Sequence, residues 1–200
     1  MAFVTNITGN VISFADSFDV RDIEQRIFEA NEINFADAAS PAFATLDDYI
    51  DNLLEKSTDR LLLKIKASSW WREYNAYVGS SISDINVLPD VNPDKIVNRQ
   101  QDFTDMCVFY CLKEYLLPKT ADFGIEESSE VQKIRYYDNK FTEYFSELLA
   151  IADWYDADGD GFISKEEISK GVLLHQMSSI GSQKDQFKGF DADGDGFIED

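Results

Sequence analysis

Three aspartates at alternate positions, followed by a glycine, give this sequence one stretch that could bind a metal ion. The stretch spans residues 156–167 and reads Asp-Ala-Asp-Gly-Asp-Gly-Phe-Ile-Ser-Lys-Glu-Glu. A hard cation such as calcium binds about six to eight oxygens at roughly 2.3–2.6 Å, and a tightly wound loop can direct alternate carboxylates to one centre. Gly161 lacks a Cβ and can adopt the positive φ of a sharp turn after the third carboxylate. The residue types and their spacing therefore predict a calcium site.

Every ligand that such a calcium loop needs is present in residues 156–167. The predicted ligands are the side chains of Asp156, Asp158 and Asp160, the backbone carbonyl of Phe162, Ser164 directly or through a water, and both carboxylate oxygens of Glu167. The pattern D-x-D-x-D-G with Glu at the twelfth position resembles the calcium loop of the EF-hand family. The resemblance implies a bound calcium ion and a helix on each side of the loop. The alternative is a loop that keeps this shape without binding an ion.

The first eight residues of this loop recur in residues 191–198. The predicted ligands of the second loop are Asp191, Asp193, Asp195 and the backbone carbonyl of Phe197. The sequence ends at Asp200, the tenth position of the loop, so no residue supplies the bidentate carboxylate. We expect the two loops to form a pair joined by a short two-stranded contact. We also expect the second site to be the weaker one, or to be completed by a neighbouring chain.

The composition indicates an acidic globular protein. Of its 200 residues 44% are hydrophobic, and the formal net charge is −20. This charge repels the phosphates of nucleic acids and anionic lipids, so we expect no sequence-specific nucleic acid binding and no membrane binding. The sequence shows no signal peptide and no apolar run long enough to span a membrane. Cys107 and Cys111 lie four residues apart in an apolar run, which predicts small buried side chains in a reducing compartment.

No group of residues in the sequence predicts catalysis. There is no phosphate-binding glycine loop and no Ser/His/Asp grouping, and the only histidine, His175, lies on the helix predicted to follow the first loop. The chain also has only three methionines, whereas calcium sensors open to expose a methionine-rich groove. We therefore expect a binding protein and not an enzyme.

The apolar periodicity predicts an all-α protein with a bundle-like helical body. Residues 1–44 are predicted to form an N-terminal arm, with a β-hairpin turning at Gly9-Asn10 and a short helix from Asp16 or Ser17 to near Asn31. Residues 45–155 form the body, and residues 156–200 form the EF-hand pair. The first predicted body helix starts at Thr45, and a second starts near Trp70 after an interruption at Ser68-Ser69. A third starts at Asn92-Pro93-Asp94, and Pro118 is predicted to end it. The last starts at Ser128 or Ser129. We expect the last helix to run through Tyr155 directly into the first loop, and Trp70 and Trp71 to lie in the core.

The order and texture of the body helices resemble the head–tail connector or neck proteins of tailed bacteriophages. The matching features are a helix over residues 47–74 ending Ser-Ser-Trp-Trp-Arg-Glu-Tyr, an apolar helix over residues 101–117 ending Leu-Leu-Pro-Lys, and a helix over residues 130–154 opening Glu-Val-Gln-Lys-Ile-Arg-Tyr-Tyr. The resemblance implies a subunit of a homo-oligomeric ring that contacts other virion proteins and is assembled in the host cytoplasm. The alternative is a cytoplasmic calcium buffer or sensor.

Overall fold

A computed structural model of the chain describes residues 3–29, 43–77, 88–121, 128–151 and 153–156. This part is mostly helical and carries one short two-stranded hairpin near the N-terminus, as predicted. None of its helices combines the length and the apolar character needed to cross a membrane. The predicted EF-hand pair lies outside the described residues, except for Asp156.

The hairpin consists of strands β1 (Val4–Thr5) and β2 (Val11–Ser13), which pair antiparallel. Gly9 in the connecting turn has φ +86°, a conformation that glycine adopts without the steric cost paid by other residues. The Asn6 side chain accepts hydrogen bonds from the backbone N–H groups of Thr8 at 2.9 Å and Asn10 at 3.0 Å. The predicted hairpin is confirmed, but its turn spans residues 6–9, closed by the Gly9 N–H donating to the Asn6 carbonyl at 2.9 Å, so the predicted position of the turn at Gly9-Asn10 is wrong.

Phenylalanines at both ends of the hairpin anchor it to the helical body. Phe3 and Phe14 are buried, and their ring centroids lie 4.7 Å apart. Phe103 of the body packs against both rings, at 6.2 Å and 5.2 Å respectively. The hairpin therefore contributes to the main hydrophobic core.

Two short helices, α1 (Ser17–Ile23) and α2 (Arg26–Glu29), follow the hairpin. Asp16 caps α1 as predicted, but the prediction of one continuous helix to near Asn31 is wrong, because the chain leaves the helical conformation at Glu24. The buried Glu24 carboxylate accepts hydrogen bonds from Tyr137 Oη at 2.8 Å and Lys133 Nζ at 2.7 Å. We attribute the break to this paired burial. Asn31 itself lies outside the described residues.

The body opens with helices α3 (Leu46–Ala67) and α4 (Ser69–Tyr77). Thr45 caps α3 in a capping box with Asp48, as the start signal predicted. Ser68 has an extended backbone, and its Oγ accepts the N–H of Trp71 at 3.2 Å. The predicted interruption between the two helices is therefore confirmed.

Asn92 caps only a single 3₁₀ turn, Pro93–Lys95, and the predicted long helix from this point is wrong. Helix α5 (Gln100–Cys111) begins after Arg99, whose φ is +55°. The residues between the turn and α5 do not join either helix, because the backbone of Ile96 pairs with another part of the chain, described below. The cap predicted at Asn92 is therefore confirmed, and the predicted length of the element is wrong.

The prediction that Pro118 ends the apolar helix is also wrong. After α5 the chain continues through a π segment (Leu112–Leu116) into α6 (Leu117–Thr120). The N–H of Leu117 donates to the carbonyl of Leu112, one residue further back than in an α-helix. A proline cannot donate to the helical ladder, and its ring clashes with the carbonyl four residues earlier in a regular α-helix. The shifted ladder just before Pro118 accommodates this side chain.

The last described helix is α7 (Ser129–Ile151), and Ser128 Oγ caps it by accepting the N–H of Val131 at 3.3 Å. Helix α5 packs against both α3 and α7. In its second half every side chain from Met106 to Cys111 is buried, as the continuous apolar run predicted. Cys107 and Cys111 are free thiols buried in this packing, and Cys107 Sγ lies 3.4 Å from Thr58 Oγ1 of α3.

Candidate metal centre

Helix α7 stops before it reaches the predicted calcium loop. It ends at Ile151, so the prediction of a helix running through Tyr155 is wrong. The indole of Trp154 turns back on the helix, and its Nε1–H donates to the Leu148 carbonyl at 3.0 Å. This carbonyl is one of the last four in the helix, which have no intrahelical partner. The tryptophan therefore serves as a side-chain cap for the helix end.

The side chains of Trp154 and Tyr155 complete an aromatic cluster in the core. The cluster comprises Trp70, Trp71, Tyr74, Phe103, Trp154 and Tyr155. Trp154 is fully buried, and its rings lie 5.0 Å from those of Trp70 and 5.2 Å from Phe103. Tyr155 lies edge-on to Trp71 at 5.2 Å. The predicted core position of Trp70 and Trp71 is confirmed.

The backbone after α7 forms an antiparallel bridge with residues 92–99, which we call the bridge segment. Ile96 pairs with Tyr155. On the two sides of this pair, the N–H of Val97 donates to the Trp154 carbonyl at 3.2 Å, and the N–H of Asp156 donates to the Lys95 carbonyl at 2.9 Å. The backbone of residues 154–156 is therefore held at both ends of the bridge.

Side chains of the bridge segment add further contacts to the same stretch. Asn98 Nδ2 donates to the Asp153 carbonyl at 3.2 Å. Arg99 Nη1 lies 3.9 Å from Asp153 Oδ1 and Arg99 Nε lies 2.6 Å from Asp102 Oδ2, so the guanidinium stands between two carboxylates. These contacts fix the chain just before the predicted loop.

Asp156, the first predicted ligand, is almost completely buried, with 2% of its surface exposed. A buried carboxylate needs charged or hydrogen-bonding partners to offset the loss of hydration, and a bound divalent cation is one such partner. The same buried environment affects the pKa of the neighbouring Tyr155. Burial raises the pKa of the Tyr155 hydroxyl, and the nearby Asp156 charge adds to that rise, while a hydrogen bond with the Asn92 backbone opposes it.

The other predicted ligands lie outside the described residues. They are Asp158, Asp160, Phe162, Ser164 and Glu167 of the first loop and Asp191, Asp193, Asp195 and Phe197 of the second. Within the part that the structure describes, no three His, Cys, Asp or Glu side chains converge in a metal-binding group. The donors named by the motif are all oxygens, which suits calcium better than a thiolate- or imidazole-preferring metal. Asp156 therefore connects this oxygen-rich loop to the folded body.

Sequence reasoning missed the bridge segment. The capping signal at Asn92 predicts a helix at this point, and one bridging residue pair gives no alternating pattern that would indicate a strand. The β-branched pair Ile96-Val97 was the available signal, because such residues favour extended backbone.

The chain was compared with known protein families, with curated proteins and with solved structures. No curated protein and no solved structure matches it. The resemblance of the helical body to phage connector proteins therefore has no support from these comparisons. Residues 155–173 match the family model described as EF hand, which begins one residue before Asp156 and supports the calcium-loop interpretation of this segment.

Proposed function

We propose that this protein is a calcium-binding structural protein whose principal site is the loop of residues 156–167. The observation that carries the proposal is the position of Asp156. The first residue of a complete calcium-loop motif is buried and hydrogen-bonded through its backbone to Lys95 in the folded body. Asp156, Asp158, Asp160, Ser164 and Glu167 supply side-chain oxygens, and Phe162 supplies a carbonyl.

Calcium fits this ligand set better than magnesium. Calcium accepts six to eight oxygens in a flexible geometry, whereas magnesium demands a near-ideal octahedron and retains several waters. The loop offers four carboxylates, of which Glu167 is the bidentate one, and this is a calcium arrangement. In the second loop Asp191, Asp193, Asp195 and Phe197 repeat the first four of these ligand positions, and we propose them as further calcium ligands.

The anchoring of the incoming chain favours a stabilising role over a sensing role. A calcium sensor converts ion binding into reorientation of the helices that flank the loop. Here the chain entering the loop is fixed by the aromatic cluster and by the bridge segment, so the entry side has little freedom to reorient. An ion bound to such a site stabilises the folded chain by mass action, because it binds the folded form alone.

Calorimetric titration of two matched variants tests the proposal. Glu167→Gln removes the charge at the bidentate position, and we expect calcium affinity to fall at least about tenfold. Glu166→Gln is the control, since it removes the same charge from the adjacent position, which supplies no ligand in the motif. Equal affinity in the wild type and Glu167→Gln would contradict the assignment, as would equal losses in both variants.

An assembly role in a virion ring is a second proposal, supported by the helix order described above and by one surface feature. Ile7 at the tip of the hairpin is fully exposed, and Phe18 is 59% exposed. In this proposal the exposed tip of the hairpin contacts a neighbouring subunit. The mass of the protein from light scattering, with calcium and with chelator, tests it. A monomer under both conditions would favour the alternative of a calcium buffer.

A further inference from the structure

Asp94 links the N-terminal hairpin to the bridge segment that holds the calcium loop. Its Oδ1 accepts the backbone N–H of Val11 in β2 at 2.7 Å, across a long separation in sequence. Its own N–H donates to Asn92 Oδ1 at 3.0 Å, within the cap of the 3₁₀ turn. Both the cap and the contact with the hairpin therefore involve one residue.

The residue after Asp94 is the one that touches the candidate site. The carbonyl of Lys95 accepts the N–H of Asp156 at 2.9 Å, and Ile96 forms the bridge with Tyr155. A change in the backbone at Asp94 is transmitted to Lys95 by the covalent chain, because the two residues share the short turn Pro93–Lys95. The hairpin and the first ligand are therefore connected by a short continuous path.

We propose that Asp94 is a positioning residue of the calcium site, which sets the Lys95 carbonyl against Asp156 while it holds the hairpin through Val11. The inference rests on the proposed calcium binding. It adds that the N-terminal hairpin and the calcium loop are energetically coupled. Coupling between two sites is reciprocal. If the contact between Val11 and Asp94 raises the calcium affinity by a given factor, bound calcium stabilises that contact by the same factor.

Two substitutions of Asp94 separate its hydrogen bond from its charge. Asp94→Asn and Asp94→Ala both remove one negative charge, so any long-range loss of attraction for the cation is the same. Asparagine keeps a side-chain oxygen that can accept the Val11 N–H, whereas alanine does not. Terbium is the probe, because it replaces calcium at oxygen sites and its luminescence is excited through a nearby tryptophan such as Trp154. The full-length chain is titrated well below its melting temperature.

We expect Asp94→Ala to bind terbium about three- to tenfold more weakly than Asp94→Asn, the range typical of residues that modulate coupling. Equal affinities of the two variants would overturn the positioning role while leaving calcium binding intact. If the wild type binds neither terbium nor calcium, the proposed function fails and this inference falls with it. The two failures are therefore distinguishable in a single titration series.

Hydrogen exchange of the Val11 amide in the wild type gives a second measurement that needs no variant at Asp94. We expect calcium to slow exchange of this amide by about the same three- to tenfold. The Glu167→Gln variant serves as the control, and its Val11 exchange should respond less at a calcium concentration between the Kd values of the wild type and the variant. A Val11 amide that exchanges at one rate with and without bound calcium would overturn the coupling.

Discussion

Replacing Trp154 with phenylalanine should destabilise the protein through one hydrogen bond. The side chain is fully buried, and its Nε1 donates to the Leu148 carbonyl at 3.0 Å. Phenylalanine retains a ring for packing against Trp70 and Phe103, but it cannot donate. The Leu148 carbonyl at the end of α7 would then be buried without this partner.

The expected magnitude follows from the two groups that change. A buried acceptor left without its donor costs about 1–3 kcal/mol. The smaller ring removes apolar contacts as well, which adds roughly 1 kcal/mol. We therefore expect the free energy of unfolding of Trp154→Phe to fall by about 2–4 kcal/mol.

Trp70→Phe is the matched control, because it removes the same atoms from the neighbouring ring of the aromatic cluster. Trp70 is also buried, and its Nε1 has no hydrogen-bond partner among the described residues. This variant should lose at most the packing contribution of roughly 1 kcal/mol, because it also removes a buried donor that has no partner among the described residues. The difference between the two variants then contains the Trp154 hydrogen bond and the desolvation cost that Trp70→Phe relieves.

Urea unfolding followed by far-ultraviolet circular dichroism, with chelator present, measures both variants without a contribution from calcium. With a urea dependence of about 2 kcal/mol per molar, Trp154→Phe should shift the midpoint about 0.5–1.5 M further than Trp70→Phe does. Equal midpoints in the two variants would refute the assignment of Trp154 as the cap of α7.

Three further predictions concern the ion, the thiols and the buried carboxylate. Calcium at a hundredfold excess over its Kd should add about 2.7 kcal/mol and raise the melting temperature by about 5–10 °C, which tryptophan fluorescence would report. Burial raises the pKa of the Cys107 thiol from 9.0 to about 12. The folded state therefore favours the protonated thiol, and this contribution to stability is complete below pH 9 and falls as the pH rises toward 12. The urea midpoint of the wild type should decline between pH 8 and about 10.5, and Cys107→Ala should make that decline smaller. Glu24→Gln should lower the free energy of unfolding by about 1–2 kcal/mol, because Lys133 loses its charged partner, and urea titration at neutral pH would show no change if the pair contributes nothing.

Local signals predicted the elements well, and long-range contacts decided where the predictions were wrong. The caps at Asp16, Thr45 and Ser128 act within one helical turn, so the sequence contains all the information for them. The break at Glu24 depends on partners in α7, more than a hundred residues away. No local pattern could have indicated it.

In the candidate site, too, the local motif was predictable from the sequence and the long-range contacts were not. The motif in residues 156–167 was readable because its ligands are close in sequence, and the match to the EF-hand family model agrees with it. The early end of α7 was not predictable, because Tyr155 continues the apolar period of the helix, while Trp154 folds back on the helix as a cap. The role of Lys95 as a backbone acceptor depends on its conformation and not on its side chain, so residue type could not have indicated it.

The contact between Lys95 and Asp156 also has a kinetic consequence. It closes a loop of about 60 residues, which carries an entropic cost of roughly 4 kcal/mol in a flexible chain. We expect such a contact to form only after α5 and α7 have packed, and therefore late in folding. Interactions that are absent from the transition state change the rate of unfolding and leave the rate of folding nearly constant. An ion held behind this contact would therefore extend the lifetime of the native state, and the refolding rate would be almost the same with and without it.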